Sequence, residues 1–211
     1  LLAKGEPVVR QQAGSYSEEM SGNLVHPDEE LATAGAEHRP DRRRAVRCLN
    51  PEESLMAEEK NLVRSLTVDI AAPAELVWSV LVDLARYPEW NPFTVKVESN
   101  LRLGEPVNLY LPNPASPGEL LHVVEQLASF EPPRLLAWEM HASASNPDAA
   151  RREQLIEATG AESCRYHTTD LFLGATADQV MELHGPWVKQ GFDAVALAVK
   201  ARAEALFAAS C

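Results

Sequence analysis

Arg152, Asp170 and His184 are the residues of this 211-residue sequence best suited to chemistry in an apolar setting. An arginine presents a planar fork of donors that matches the oxygens of a carboxylate or an enolate. A carboxylic acid removed from water holds its proton longer and can act as an acid or a base. Histidine titrates nearest neutrality. The spacing brings two of the three together. Residues 152–158 and 164–172 read as two strands around Gly160, and a turn at Gly160-Ala161-Glu162 sets their register. That register pairs Ile156 with Tyr166, Gln154 with Thr168 and Arg152 with Asp170. With Tyr166 and Phe172 facing inward, Cys164, Thr168 and Asp170 face inward too, whereas a slip of one residue sends the whole set outward. The inner face then has an apolar end, Ile156 and Tyr166, and a polar end, Arg152 and Asp170. Two readings of the polar end stand side by side. It is a cross-strand ion pair serving the scaffold, or it anchors the polar group of an otherwise apolar ligand. On the second reading, Arg152→Leu weakens an acidic or phenolic ligand more than a neutral analogue. Asp170 could then move protons, although a nearby arginine opposes a rise in its pKa.

His184 lies four residues after Val180 on the apolar side of a predicted C-terminal helix. That helix begins near Thr176 and runs through Val180, Trp187/Val188, Gly191/Phe192, Val195, Val199, Arg202 and Leu206. There the histidine is either a hydrogen-bonded core residue or a general acid/base, and the sequence places no second group beside it. Pro186 should kink or loosen the helix. His141 and His167 have the opposite strand parity to Trp138 and Tyr166, so both belong on the outer face. His122 sits on a strand for which Leu121/Val123 or Leu120/Val124 could face inward. Trp90, Phe93, Trp138, Trp187 and Phe192 are large apolar groups that are either plain core or the lining of a cavity. Asn91 suits the backbone of the Trp90–Phe93 turn.

The elements that must position these groups follow from periodicity. Leu62 to Ile70 alternates as one strand, Leu62, Arg64, Leu66, Val68 and Ile70 sharing a face. Pro73 opens a helix with Val77, Val80, Leu81 and Leu84 on its stripe, and Tyr87-Pro88 ends it. Phe93–Val97, Val107–Leu111, Leu120–Phe130, Leu135–His141, Arg152–Ala158 and Cys164–Phe172 read as strands joined by short turns, before the long helix. Consecutive strands with short connections make an antiparallel sheet, so the class is α+β. A single long helix against a curved sheet leaves room for a cavity.

Composition sets the outer limits. With 19 basic and 31 acidic residues, the formal charge of −12 repels phosphate backbones and anionic lipid. No run of about 18 apolar residues could span a bilayer. The first residues lack a signal-peptide pattern, and three widely separated cysteines, Cys48, Cys164 and Cys211, suit a reducing cytoplasm. Of 13 aromatic residues, 12 lie from Trp78 onward, leaving Tyr16 alone in the first 55. Those 55 residues read as a disordered or loosely ordered tail. Its basic run Arg39-Pro40-Asp41-Arg42-Arg43-Arg44 is a solvated segment or a weak anion patch. Residues 56–211, 12 basic against 21 acidic, form one domain. Met56, just ahead of it, is the expected natural start, which a chain from Met56 that fails to fold would contradict. There is no phosphate loop, G-x-S-x-G elbow, H-E-x-x-H or C-x-x-C, so neither a metal nor a cofactor is expected.

The stretch Ile70-Ala71-Ala72-Pro73 to Val77-Trp78, then Asp83, then Tyr87-Pro88-Glu89-Trp90-Asn91-Pro92-Phe93 resembles the START-like (SRPBCC, Bet v 1-like) superfamily. Its polyketide cyclase/dehydrase-like branch is the most similar. Glu131-Pro132-Pro133 with Leu136-Ala137-Trp138, Phe172-Leu173-Gly174, and His184, Gly191-Phe192 and Lys200–Glu204 extend the similarity over about residues 62–208. The resemblance implies a helix-grip fold, a seven-stranded antiparallel sheet wrapped around the C-terminal helix over a hydrophobic cavity. It implies binding or transport of a small hydrophobic molecule (a lipid, polyketide or isoprenoid) in the cytoplasm by a monomer or homodimer. The alternative it carries is a cyclase or dehydratase using Asp170 or His184. A third possibility is an interaction module with a vestigial cavity. The candidate ligand contacts are Trp90, Phe93, Trp138, Arg152, Gln154, Tyr166, Asp170, His184, Trp187 and Phe192.

Overall fold

The computed structural model describes residues 60–210. The proposed tail, its basic run, Met56, Cys48 and Cys211 lie outside the described residues. The chain begins with two short strands, β1 (Leu62–Arg64) and β2 (Val68–Ile70), and a helix, α1 (Ala74–Val82). A 3-10 turn over Leu84–Arg86 leads into a single helical turn, α2 (Tyr87–Trp90). Six strands follow: β3 (Lys96–Glu98), β4 (Pro106–Pro112), β5 (Leu120–Glu131), β6 (Leu135–Met140), β7 (Ala149–Gly160) and β8 (Ser163–Leu173). The chain then enters α3 (Ala177–Ser210). The strands form one antiparallel sheet in the order β1-β8-β7-β6-β5-β4-β3, with β2 also on β8. This is the expected helix-grip architecture, with α3 packed along β8, β1 and β2 and against α1.

The first strand departs from the single run expected. Val63 and Ser65 are buried, then Val68 and Ile70, so the alternation changes phase at Leu66-Thr67. Ser65 carries the break. Its N–H donates to the Thr168 carbonyl at 2.9 Å, and its Oγ accepts the Thr168 N–H at 2.9 Å. A side-chain oxygen thus stands in where a backbone carbonyl would continue the ladder, and the strand steps over one register.

Helical structure also continues past Tyr87-Pro88 rather than ending there. Tyr87 holds φ −52° and ψ −41°, a helical conformation that a following proline disfavours. Burial holds it: the ring is enclosed, packs 4.9 Å from Trp90, and donates its hydroxyl to the Leu81 carbonyl at 2.8 Å. Pro88 then sits in the first turn of α2, where its missing N–H has no partner to lose. Phe93 and Thr94 are both buried, so the strand expected from Phe93 forms only from Lys96.

α3 spans 34 residues and runs through Pro186. Its buried side carries Val188, Phe192, Val195, Ala196, Val199 and Ala203. Arg202 leaves the apolar stripe expected for it and reaches Glu89 at 3.0 Å, and Leu206 is exposed. At Gly191 a Cβ would lie 2.2 Å from Cδ2 of the Phe93 ring. Gly191→Ala therefore pushes a ring held edge-on by Trp187 (centroids 4.8 Å apart) and Phe192 (5.8 Å). The helix gains about 1 kcal/mol in propensity, but overpacking costs about 1–3 kcal/mol. The expected result is a lower melting temperature with altered Trp187 fluorescence. A rise in melting temperature would show that the ring relocates freely.

A cavity with buried charge

The hairpin of β7 and β8 does what its alternation predicts. Ile156 pairs with Tyr166, Gln154 with Thr168 and Arg152 with Asp170, and all six side chains are buried on the face toward α3. Cys164 is buried on the same face, and its thiol is pushed up to about 11 by burial, then by Glu75. Arg151, one residue from Arg152, points the other way and joins Glu139, Glu153 and Ser129 on the outer face. His141 is exposed, and His167 lies on the outer face against Arg64 at 2.9 Å. His122 is outward too, stacked on Tyr110 at 4.8 Å, so Val123 is the inward neighbour.

A cavity of about 50 Å³ opens between the sheet and the first turns of α3. Its apolar wall includes Leu111, Val123, Met140, Phe172, Trp187 and Val188; its polar wall is Glu125, Asp148, Arg152, Asp170 and His184. A smaller void of about 10 Å³ lies beyond Arg152 among Phe93, Trp138, Gln154 and Phe192, beside the Asn91 turn. Asn91 Oδ1 accepts the backbone N–H of Phe93 (3.0 Å) and Thr94 (2.8 Å), as its position in the sequence suggested. Arg152 borders both spaces, its guanidinium over Phe192 at 4.9 Å and Phe93 at 6.0 Å. Of the expected contacts, Arg152, Asp170, His184 and Trp187 therefore line the larger cavity. Phe93, Trp138, Gln154 and Phe192 line the smaller void. Trp90 and Tyr166 line neither: Trp90 packs on Tyr87, and Tyr166 donates its hydroxyl to Gln154 Oε1 at 3.1 Å.

Size limits what the cavity holds. About 50 Å³ admits a few water molecules, whereas a cavity of about 150 Å³ can take up benzene. A larger guest must displace side chains of the apolar wall.

Glu125 and Asp148 are the functional candidates that sequence reasoning missed. Glu125 is 5% exposed and Asp148 3%, as deeply buried as Asp170 at 4%. Burial pushes the Glu125 carboxyl up to about 7; Arg152 pulls it down and Asp170 pushes it further up. The Asp170 carboxyl is raised by burial, against the pull of Arg152, whose nearest nitrogen is 3.7 Å away. That separation makes an ion pair without a hydrogen bond. Burial depresses His184, and Asp148 acts in the opposite direction. Glu125 Oε2, Asp148 Oδ2 and Asp170 Oδ1 are buried acceptors with no hydrogen-bond partner. Among the described residues no cluster could hold a metal ion, and no helix is long and apolar enough to cross a membrane.

An antiparallel sheet gripping a long helix over an internal cavity defines a START-like protein. The particular family follows from the sequence: residues 64–205 match the family described as polyketide cyclase / dehydrase and lipid transport, and the chain belongs to it. Among solved structures, the chain is similar to the Zhui aromatase/cyclase from a Streptomyces species. Identity there is 26% and the TM-score 0.55, covering 68% of this chain and 93% of that one. It is also similar to a START superfamily protein from Mycobacterium smegmatis (19%, TM-score 0.52, 69% and 98% covered). A protein from Chromobacterium violaceum has the same fold (16%, TM-score 0.54, 68% and 97% covered). No curated protein matches the sequence.

Proposed function

We propose that the protein binds a small, largely apolar molecule between the sheet and α3, with its polar group at the Glu125, Arg152 and Asp170 end. One observation carries this reading: the cavity has an apolar wall facing a cluster of buried, incompletely bonded polar groups. Buried polar atoms without partners cost roughly 1–3 kcal/mol each, and a bound polar group recovers part of that. Family membership supports the same reading.

Native mass spectrometry of protein purified from its own host should reveal a co-purifying small molecule, released by organic solvent. Ala150→Leu, at a buried position in the cavity lining, should abolish the adduct while leaving the fold intact. An adduct that survives Ala150→Leu would place the ligand elsewhere, and a ligand-free protein would defeat the reading.

A second reading is a cyclase or dehydratase, favoured by the Glu125 carboxyl near pH 7 inside the cavity. A group poised there can take the proton from a methylene between two carbonyls. The enolate carbon then bonds to a second carbonyl carbon, and the resulting alkoxide takes a proton back from the acid form of Glu125. Loss of that hydroxyl with a neighbouring proton, as water, completes the dehydration. Asp148, Asp170 and His184 also line this cavity and can share the proton movements.

A further inference from the structure

The charge inside the cavity argues for a particular kind of polar group. Three carboxyl groups, Glu125, Asp148 and Asp170, line it with one guanidinium, Arg152. His184 is held toward its neutral form by burial. With every carboxyl ionised the lining carries −2, and with Glu125 protonated it still carries −1. Glu125 Oε2, Asp148 Oδ2 and Asp170 Oδ1 are acceptors without partners, on side chains more than nine-tenths buried, and the side-chain donors in the same lining are the Arg152 guanidinium and the His184 ring. Trp138 Nε1 and Gln154 Nε2 belong to residues of the small void beyond Arg152. Arg152 is already faced by Asp170 at 3.7 Å and covered on its flat side by Phe192. An incoming carboxylate or enolate would meet a net like charge, with Arg152 already faced by Asp170, which argues against Arg152 as the anchor of an acidic ligand.

We propose that this cavity selects a ligand whose polar end is a positively charged hydrogen-bond donor, a protonated amine on an apolar body, and disfavours carboxylates and enolates. The inference rests on the ligand-binding reading above and adds the chemistry of the ligand's polar end. The amine spans the unpartnered oxygens of Glu125 and its neighbours while its alkyl part meets Val123, Trp187 and Val188. Binding then depends on the ionisation of Glu125. The ionisable groups that share this lining with Glu125 are Arg152 on β7, Asp170 on β8, Asp148 in the loop before β7 and His184 on α3, and of these Arg152 and Asp170 act on its charge. The β4 and β6 contributions, Leu111 and Met140, are uncharged. Burial keeps the Glu125 carboxyl protonated up to about pH 7, with Arg152 working against it and Asp170 with it, so the amine should bind more tightly as the pH rises from 6 to 8.

Three isosteric probes test this: n-butylammonium, n-butanol and butyrate, titrated into the full chain by calorimetry and followed by amide chemical shifts. The expected order is butylammonium, then butanol at least tenfold weaker, with butyrate undetected. Butylammonium affinity should rise severalfold from pH 6 to pH 8. Glu125→Gln should remove both that rise and the preference over butanol, while butanol binding persists. A general attraction to the acidic surface would survive Glu125→Gln unchanged and would overturn the proposal. So would butyrate or butanol matching the amine, which leaves the ligand-binding reading intact. Failure of all three probes to shift any cavity residue would overturn both.

Discussion

Arg152→Leu is expected to destabilise the protein by about 3–5 kcal/mol at pH 8, the largest loss from any single cavity substitution. Leucine keeps much of the packing against Phe93 and Phe192 but removes the guanidinium that, among the described residues, is the cation acting on Glu125 and Asp170. Two carboxyl groups would then share a dry space with nothing to balance them, and each must be protonated or the structure must open to water. The loss should therefore shrink at pH 5, where both carboxyls take up protons more readily. Pairing Arg152→Leu with Asp170→Asn should recover part of the stability, because only one carboxyl is left uncompensated. Urea unfolding of the parent, the single and the double variants at pH 5 and pH 8 measures all of this. A loss below about 1 kcal/mol at pH 8 would mean the carboxyls are already neutral and the ion pair is not what holds the hairpin.

Why one wall of this cavity was legible in the sequence and the other was not is a matter of strand chemistry. On β7 and β8 the inward positions carry Ile156, Tyr166 and Phe172, and a turn assumed at Gly160-Ala161-Glu162 sets Arg152 opposite Asp170. The chain in fact turns at Ala161-Glu162, with Gly160 paired to Ser163, and a register shift between Ala158 and Gly160 restores the same pairing. On β5 the pattern is inverted. The outward positions hold apolar Leu120, 52% exposed, and Val124, 50% exposed, while the inward face carries Glu125 between Val123 and Leu127. Alternation reads such a strand equally well in either sense, because it assumes that apolar means inside. The register shift between Leu127 and Ser129 removes the remaining cue by changing the parity before Phe130. One signal was present: Val107, Leu109 and Leu111 on β4 demand buried partners, and pairing Leu109 with Val123 turns Glu125 inward. That pairing is long-range and absent from local pattern. Asp148 was hidden differently, in a loop where polar residues are ordinarily solvated. At the start of the domain, the phase change at Ser65 depends on a hydroxyl replacing a carbonyl in the ladder, which hydrophobic periodicity does not register.

The inverted face of β5 makes Glu125→Gln informative. In the folded protein the Glu125 carboxyl keeps its proton up to about pH 7, whereas in the unfolded chain it releases it near 4.5. Between those values the folded state binds more protons than the unfolded one, so stability falls as pH rises. The full stability is present below about pH 4.5, is lost progressively up to about pH 7, and stays lost above it. A shift of this size corresponds to roughly 3 kcal/mol of penalty at pH 8. Asp170, also raised by burial, adds to the slope in the same direction. Glutamine has nearly the same shape and no charge to desolvate. Glu125→Gln is therefore expected to be about 2–3 kcal/mol more stable than the parent at pH 8 and within about 1 kcal/mol of it at pH 5. Arg152 works against this gain, because an ionised Glu125 is one of the groups that balance it. Should Arg152 require both carboxylates, Glu125→Gln would be the less stable protein at pH 8 and the parent would show no decline between pH 5 and pH 8. Denaturant midpoints at the two pH values decide between a glutamate that burdens the fold, as a binding or proton-transfer group does, and one that serves the scaffold.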